Sequence, residues 1–293
     1  MKSYAYTGLL AVATLFLLAS APAPKKFDYF AYVPSGDLFH EDGKSYTSIS
    51  GFFMATTEVT NAQYRTFLED LKRQGREEEL GLARVNERGW NDSNNYSEQM
   101  AKVYFSHPAY DNYPVVNVSS EGAQLYCLWL AEKYNAVYPE SEVHIRIPTP
   151  DEWAYAAKGG HRMAPYPWGG YYVKNAKGCY LLNFNHDEAE EIGADGGVYT
   201  LPATAYFPND YGLYQMSGNV AEMTSDGSAM GGHWFSKSIE EVKTTSKASF
   251  LGSSPFVGFR PVMTIGKQTK EVNWSSFNPN KTYKKLLKEL ETD

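Results

Sequence analysis

The chain has 293 residues, 43% hydrophobic and 21% charged, which is long enough to bury a core without a disulfide scaffold. Its 27 Lys and Arg against 34 Asp and Glu give a formal charge of −7, which argues against nucleic acid as a partner, because that affinity needs clustered cations facing phosphates. Two cysteines, Cys127 and Cys179, cannot build a cysteine-rich zinc site. Residues 1–23 carry one charge, Lys2, and an apolar run from Gly8 to Ala19 that is shorter than the ~20 residues a membrane-spanning helix needs. They read as a secretory signal or an uncleaved anchor. The chain is therefore expected to be exported, periplasmic or outer-membrane-associated, touching a membrane only through this segment or a partner. No cysteine lies near it to carry a lipoprotein anchor.

Short β-type runs at Phe30–Val33 and Gly51–Met54 come next. Thr60-Asn61-Ala62-Gln63 then forms a capping box, and Tyr64, Phe67, Leu68 and Leu71 make one apolar face behind it. Segment 73–113 is polar and interrupted, so it reads as an insertion over the surface. Ser119 or Ser120 caps a second helix with the stripe Ala123, Tyr126, Cys127, Leu130, Ala131 and Tyr134. Val143–Ile147 reads as a strand. Thr149-Pro150-Asp151-Glu152 opens a third helix with an N-cap, a proline at the first helical position and acids in the positive first turn; Trp153, Ala156 and Ala157 face inward. Phe256–Met263 is the last β-type run. From 266 to 293 the chain becomes a polar linker and a short Lys-rich helix at Tyr283–Leu290. Together these predict one α+β domain over 24–265, with several short strands and about three amphipathic helices.

In chain order, FFMATTEVTNAQYRTFL, YPVVNVSSEGAQLYCLWL, RIPTPDEWAYAAKGG, YPWGG, YGLYQMSGNVAEMTSDG, GGHW and FVGFRPV resemble the formylglycine-generating enzyme, or sulfatase-modifying factor, family. The resemblance runs from about Phe27 to Ile265 and implies a C-type-lectin-like α+β fold with sparse secondary structure. YFSHPAYDNYPVV further resembles the branch found in gliding-motility and type IX secretion lipoproteins.

In that family, a cysteine pair after a GGSW-like motif binds Cu(I), a soft metal that prefers sulfur, and one thiolate exchanges with the substrate cysteine. Here the segment reads Gly231-Gly232-His233-Trp234-Phe235-Ser236-Lys237-Ser238-Ile239-Glu240-Glu241, with Ser236 and Glu241 near the cysteine positions. A hydroxyl is not a thiolate at neutral pH. Copper and the generating activity are therefore not expected. The superfamily's iron enzymes use a three-His site; His40, His107, His144, His161, His186 and His233 show no tight ligand spacing, so no iron is expected either. His233, Trp234, Ser236 and Glu241 remain the candidates at the family's cleft.

The resemblance also implies structural calcium, which demands oxygen ligands. The first set is the side chains of Asn183 and Asp195 with the carbonyls of Phe184 and Gly197. The second is Gln215 and Glu222 with the carbonyls of Gly218 and Val220. Asp195-Gly196-Gly197 also reads as a plain turn, and Glu222 as a salt-bridge residue. Cys127 and Cys179 either pair in an oxidising compartment or stay free, Cys127 being a small hydrophobe on its helix. The expected function is a non-catalytic envelope component that binds protein partners, within a secretion or gliding-motility assembly. The alternatives are altered chemistry through His233, Ser236 and Glu241, or a carbohydrate- or peptide-binding module suggested by the 15% aromatic content.

Overall fold

The computed structural model describes residues 29–91, 98–139, 141–185, 193–250 and 252–266. The signal segment, His186, and the expected linker and C-terminal helix lie outside these residues. Among the described residues, no helix is long and apolar enough to cross a membrane.

Strands β1 (Phe30–Val33), β2 (Gly36–Phe39), β3 (Tyr46–Ile49) and β4 (Phe52–Ala55) come first. Helices α1 (Asn61–Arg73), α2 (Glu77–Ala83), α3 (Glu98–Val103) and α4 (Ser120–Val137) follow, then β5 (Val143–Arg146) and α5 (Pro150–Ala157). The chain closes with β6 (Ala221–Met223), β7 (Ser228–Met230), β8 (Lys247–Ser249), β9 (Val257–Gly258) and β10 (Val262–Ile265). One antiparallel sheet runs β1-β4-β10-β5, a second runs β8-β7-β6-β9, and β2 and β3 pair as a hairpin. This is an α+β domain with little regular structure for its length.

The expected helix starts hold because capping is a local device. The Gln63 N–H donates to Thr60 Oγ1 at 3.4 Å, and Gln63 Oε1 accepts the Thr60 N–H at 2.8 Å. Ser119, rather than Ser120, caps α4. Thr149 and Glu152 form a second capping box around Pro150. Tyr64, Phe67 and Leu71 from α1 meet Tyr126, Cys127 and Leu130 from α4 in the main core. Asp70 is buried where the two helices meet, accepting from Trp129 Nε1 at 2.7 Å and pairing with Lys133 and Arg73. Burial pushes its carboxyl up, but Lys133, Trp129 and Arg73 outweigh that and hold it below the usual range.

Two expectations change. Among the described residues two further α-helices, α2 and α3, join the three expected ones, both within segment 73–113. That segment is exposed at Glu77 and Glu78, but it also places Trp90, Met100 and Tyr104 in a buried aromatic cluster with Trp234. A polar sequence concealed this, because single large rings anchor the segment without any periodic stripe. The run Phe256–Met263 is not one strand: Arg260 turns into the core and Pro261 offers no N–H to a ladder, so β9 and β10 join different sheets.

Candidate functional site

The segment from Gly231 to Glu241 enters the core on two glycines with positive φ, +87° and +68°. A Cβ on Gly231 would sit 2.7 Å from the Trp153 ring, and one on Gly232 would sit 2.5 Å from the Glu241 carbonyl oxygen. The backbone can therefore fold back on itself directly before His233. The imidazole lies 4.5 Å from the Phe256 ring between centroids, and its Nδ1 accepts the Phe235 N–H at 3.2 Å. Desolvation pushes the imidazole down to about 4, so it is neutral at physiological pH.

Ser236 is buried, and its Oγ accepts the His233 backbone N–H at 3.1 Å while its own N–H donates to the His233 carbonyl at 2.8 Å. The hydroxyl closes a turn instead of engaging the imidazole. Trp234 donates from Nε1 to the Pro255 carbonyl at 3.1 Å and stacks in the cluster of Trp90, Tyr199 and Phe256. Glu241 is exposed. Among the described residues no hydrogen bond joins the His233, Ser236 and Glu241 side chains. A nucleophile needs a base that is itself oriented by a third group, and that chain of contacts is missing.

The two cysteines lie elsewhere. Cys127 is buried in α4 and Cys179 is exposed on a loop, both as free thiols. Burial pushes the Cys127 thiol far up, so it stays protonated. Ser236 and Glu241, which stand near the family's cysteine positions, offer oxygen and no thiolate, a donor chemistry that does not fit Cu(I). Among the described residues, no three His, Cys, Asp or Glu side chains converge on a common point.

Behind this segment lies a buried polar network. Arg260 is fully buried and grips Glu222 through two contacts, Nη2 to Oε1 at 2.6 Å and Nε to Oε2 at 2.8 Å. Its remaining donors reach the Ala55 and Tyr214 carbonyls. Trp153 Nε1 donates to Glu222 Oε2 at 2.7 Å. Glu58 stands 3.9 Å from the same guanidinium, and its Oε1 accepts from Asn219 Nδ2 at 2.9 Å. Two carboxylates thus face one cation. Desolvation pushes Glu58 up to about 8, despite the pull of Arg260, with Glu222 adding to the rise. Protonating Glu58 leaves the cluster neutral. Asn219, with φ of 60°, knots the site together: its Oδ1 accepts from Leu201 N and Asn183 Nδ2, and its carbonyl accepts the Trp234 N–H.

The calcium sets fare differently. Asn183 is fully buried, and its Oδ1 has no hydrogen-bond partner while its Nδ2 donates to Tyr199. The Asp195 carboxylate accepts the Phe184 N–H at 2.7 Å and the Gly197 N–H at 3.2 Å, which brings the first set into one loop pair. Burial raises the Asp195 carboxyl above its usual range, against the pull of the Gly197 and Phe184 N–H groups. An orphaned amide oxygen and a carboxylate brought into the same loop pair are the kind of oxygen donors a hard cation takes. In the second set both Glu222 oxygens already meet Arg260 and Trp153, and Gln215 Nε2 donates to Pro202. That carboxylate is neutralised without a metal, so the second set fits poorly.

The sequence reading did not single out Glu58, Asn219 and Arg260. For two of them the signal was present, as a charged residue inside an otherwise packed segment: Glu58 in ATTEVTN and Arg260 in FVGFRPV; Asn219 in SGNVAEM carries no charge to mark it. A charge in an apolar string is buried only if a partner waits for it.

Comparison with known proteins agrees with this architecture. Residues 21–265 match the family model described as the sulfatase-modifying factor enzyme 1-like domain. The formylglycine-generating enzyme of Mus musculus is 27% identical over 241 residues, covering 71% of this chain and 61% of that protein. The inactive C-alpha-formylglycine-generating enzyme 2 of Bos taurus is 29% identical over 198 residues, covering 61% and 60%. The chain thus spans about three fifths of the length of the curated relatives it matches. The crystal structure of CarF superposes with a TM-score of 0.54 at 21% identity, over 82% of this chain and 99% of that one, which speaks to the fold.

Proposed function

The chain belongs to the sulfatase-modifying factor family, and on that premise we propose that it is a non-catalytic member, a binding component of a bacterial envelope assembly of the secretion or gliding-motility kind. One observation carries this reading. Where redox relatives hold sulfur, this chain has a serine tied into a backbone turn and an exposed glutamate, and neither cysteine is near in sequence. A relative whose name declares it inactive sets a precedent for the scaffold without the chemistry. The apolar start of the chain supports export. Exposed Tyr171, Tyr172 and Phe207 supply surface for protein contacts. Calcium bound through Asn183, Phe184, Asp195 and Gly197 would hold two loops in place and take no part in any reaction. The alternative chemistry through His233, Ser236 and Glu241 lacks the contacts it would need.

Two measurements test the proposal. Incubated with copper, oxygen and a cysteine-bearing sulfatase peptide, the protein should leave the peptide without aldehyde. Affinity capture of tagged chain from detergent-solubilised envelopes should co-purify a defined set of envelope proteins at native levels. Formation of aldehyde, or a strictly monomeric chain with no partner, refutes it.

A further inference from the structure

Away from the segment after Gly231, a cavity of about 120 Å³ lies between the turn of the β2–β3 hairpin, the end of α5 and two loops near Ala164 and Thr245. Lys158, the residue that ends α5, lines it and is only 7% exposed. A lysine at a helix end ordinarily serves the free carbonyls there. Here Asn209 Nδ2 takes the Ala156 and Ala157 carbonyls instead. The Lys158 ammonium makes one long contact, 3.4 Å to the Ala164 carbonyl, which also accepts from Thr244 Oγ1. Among the described residues no carboxylate forms an ion pair with it. Glu41 lines the same cavity at its exposed side and acts on Lys158 only through its field. Lys243 also lines the cavity, paired with Glu240, and His40 is committed to Thr47 through Nε2.

An ammonium has three donors, and burying it with one weak acceptor leaves most of its hydration unreplaced. Desolvation accordingly pulls Lys158 below the ordinary lysine range. Nothing in the described protein supplies the missing acceptors, while the cavity has room for a group of a few heavy atoms. We propose that this cavity binds a small oxyanion, a carboxylate or phosphate group, with the Lys158 ammonium as its counter-charge and Lys243 at its rim. The bound group would supply acceptors to the ammonium donors and favour the charged form of the lysine.

The test uses the full chain at constant ionic strength, with inorganic phosphate in one arm, acetate in another and chloride as the reference. Saturable stabilisation by an arm names the group, with a rise in Tm of about 3 °C at tenfold excess over Kd. Lys158→Met keeps the apolar stem and should abolish the response, whereas Lys237→Met should leave it intact. As a readout independent of variant folding, trinitrobenzenesulfonate labelling of Lys158, followed by peptide mass spectrometry, should slow when the stabilising anion is present. No response in either arm, an equal response from Lys158→Met, or labelling that the anion leaves unchanged overturns the assignment.

Discussion

Two neighbouring regions of this molecule have been treated in opposite ways. Around Arg260, buried charge is held by partners: Glu222 grips the guanidinium twice, Trp153 donates to Glu222, and Asn219 binds Glu58 Oε1, leaving only Glu58 Oε2 without a hydrogen bond. A few residues away, the segment after Gly231 retains its glycine turn and its packed tryptophan but has no connected donor, base and nucleophile. The difference teaches that the architecture of a site and its reactivity are separable. Burying charge without partners is unfavourable, so the contacts of the polar network are tied to the stability of the fold. No such constraint protects a reactive side chain, which can be exchanged for a turn-forming serine without cost to the scaffold.

Breaking the matched region should have the largest effect. Arg260→Met leaves Glu222 charged and unpaired in the core, and should lower stability by about 3–5 kcal/mol, read as a Tm drop of about 10 °C. The next effect is one of pH. Glu58 is protonated in the folded chain up to about 8 but ionises near 4.5 when unfolded. The unfolded state therefore binds fewer protons across that window, and stability from this group falls as pH rises through it, by at most about 1.4 kcal/mol per pH unit. Glu58→Gln should flatten that slope in urea titrations at stepped pH. At the first oxygen-rich loop pair, calcium at a hundredfold excess over Kd should stabilise the protein by about 2.7 kcal/mol, reversed by chelator and absent in Asp195→Asn. On the other side of the comparison, Ser236→Ala removes one hydrogen bond to a backbone amide and should cost about 1 kcal/mol. Glu241→Ala should change stability by less than about 0.5 kcal/mol in the same assay. If Ser236→Ala proved as damaging as Arg260→Met, the contrast between the regions would be lost.

What the sequence made legible is what local chemistry decides. Thr60, Ser119 and Thr149 cap helices because each hydroxyl finds its N–H three residues on, and no distant residue is consulted. The helix stripes followed for the same reason. Strands β6, β7 and β8 escaped notice because they are three residues each, too short to show alternation. The polar network was illegible for a different reason: the partners of Asn219 and Arg260 lie up to 205 residues away in the chain. Trp90 and Tyr104 were misjudged because their polar neighbours outweighed them in any local average, although tertiary contacts decided their placement. The Ser236 turn lay between these extremes. Its identity was plain, but only the fold shows that its hydroxyl faces a peptide group.

The position of β10 has a consequence for how the chain is made. This strand lies between β4 and β5, so the first sheet stays open, with β4 and β5 exposing unpaired edges, until residues 262–265 have emerged. Closing it joins segments about two hundred positions apart, a slow and entropically demanding step. Until then β4 and β5 lack the strand that joins them. Any stop codon before β10 should leave an aggregating fragment in place of a smaller protein.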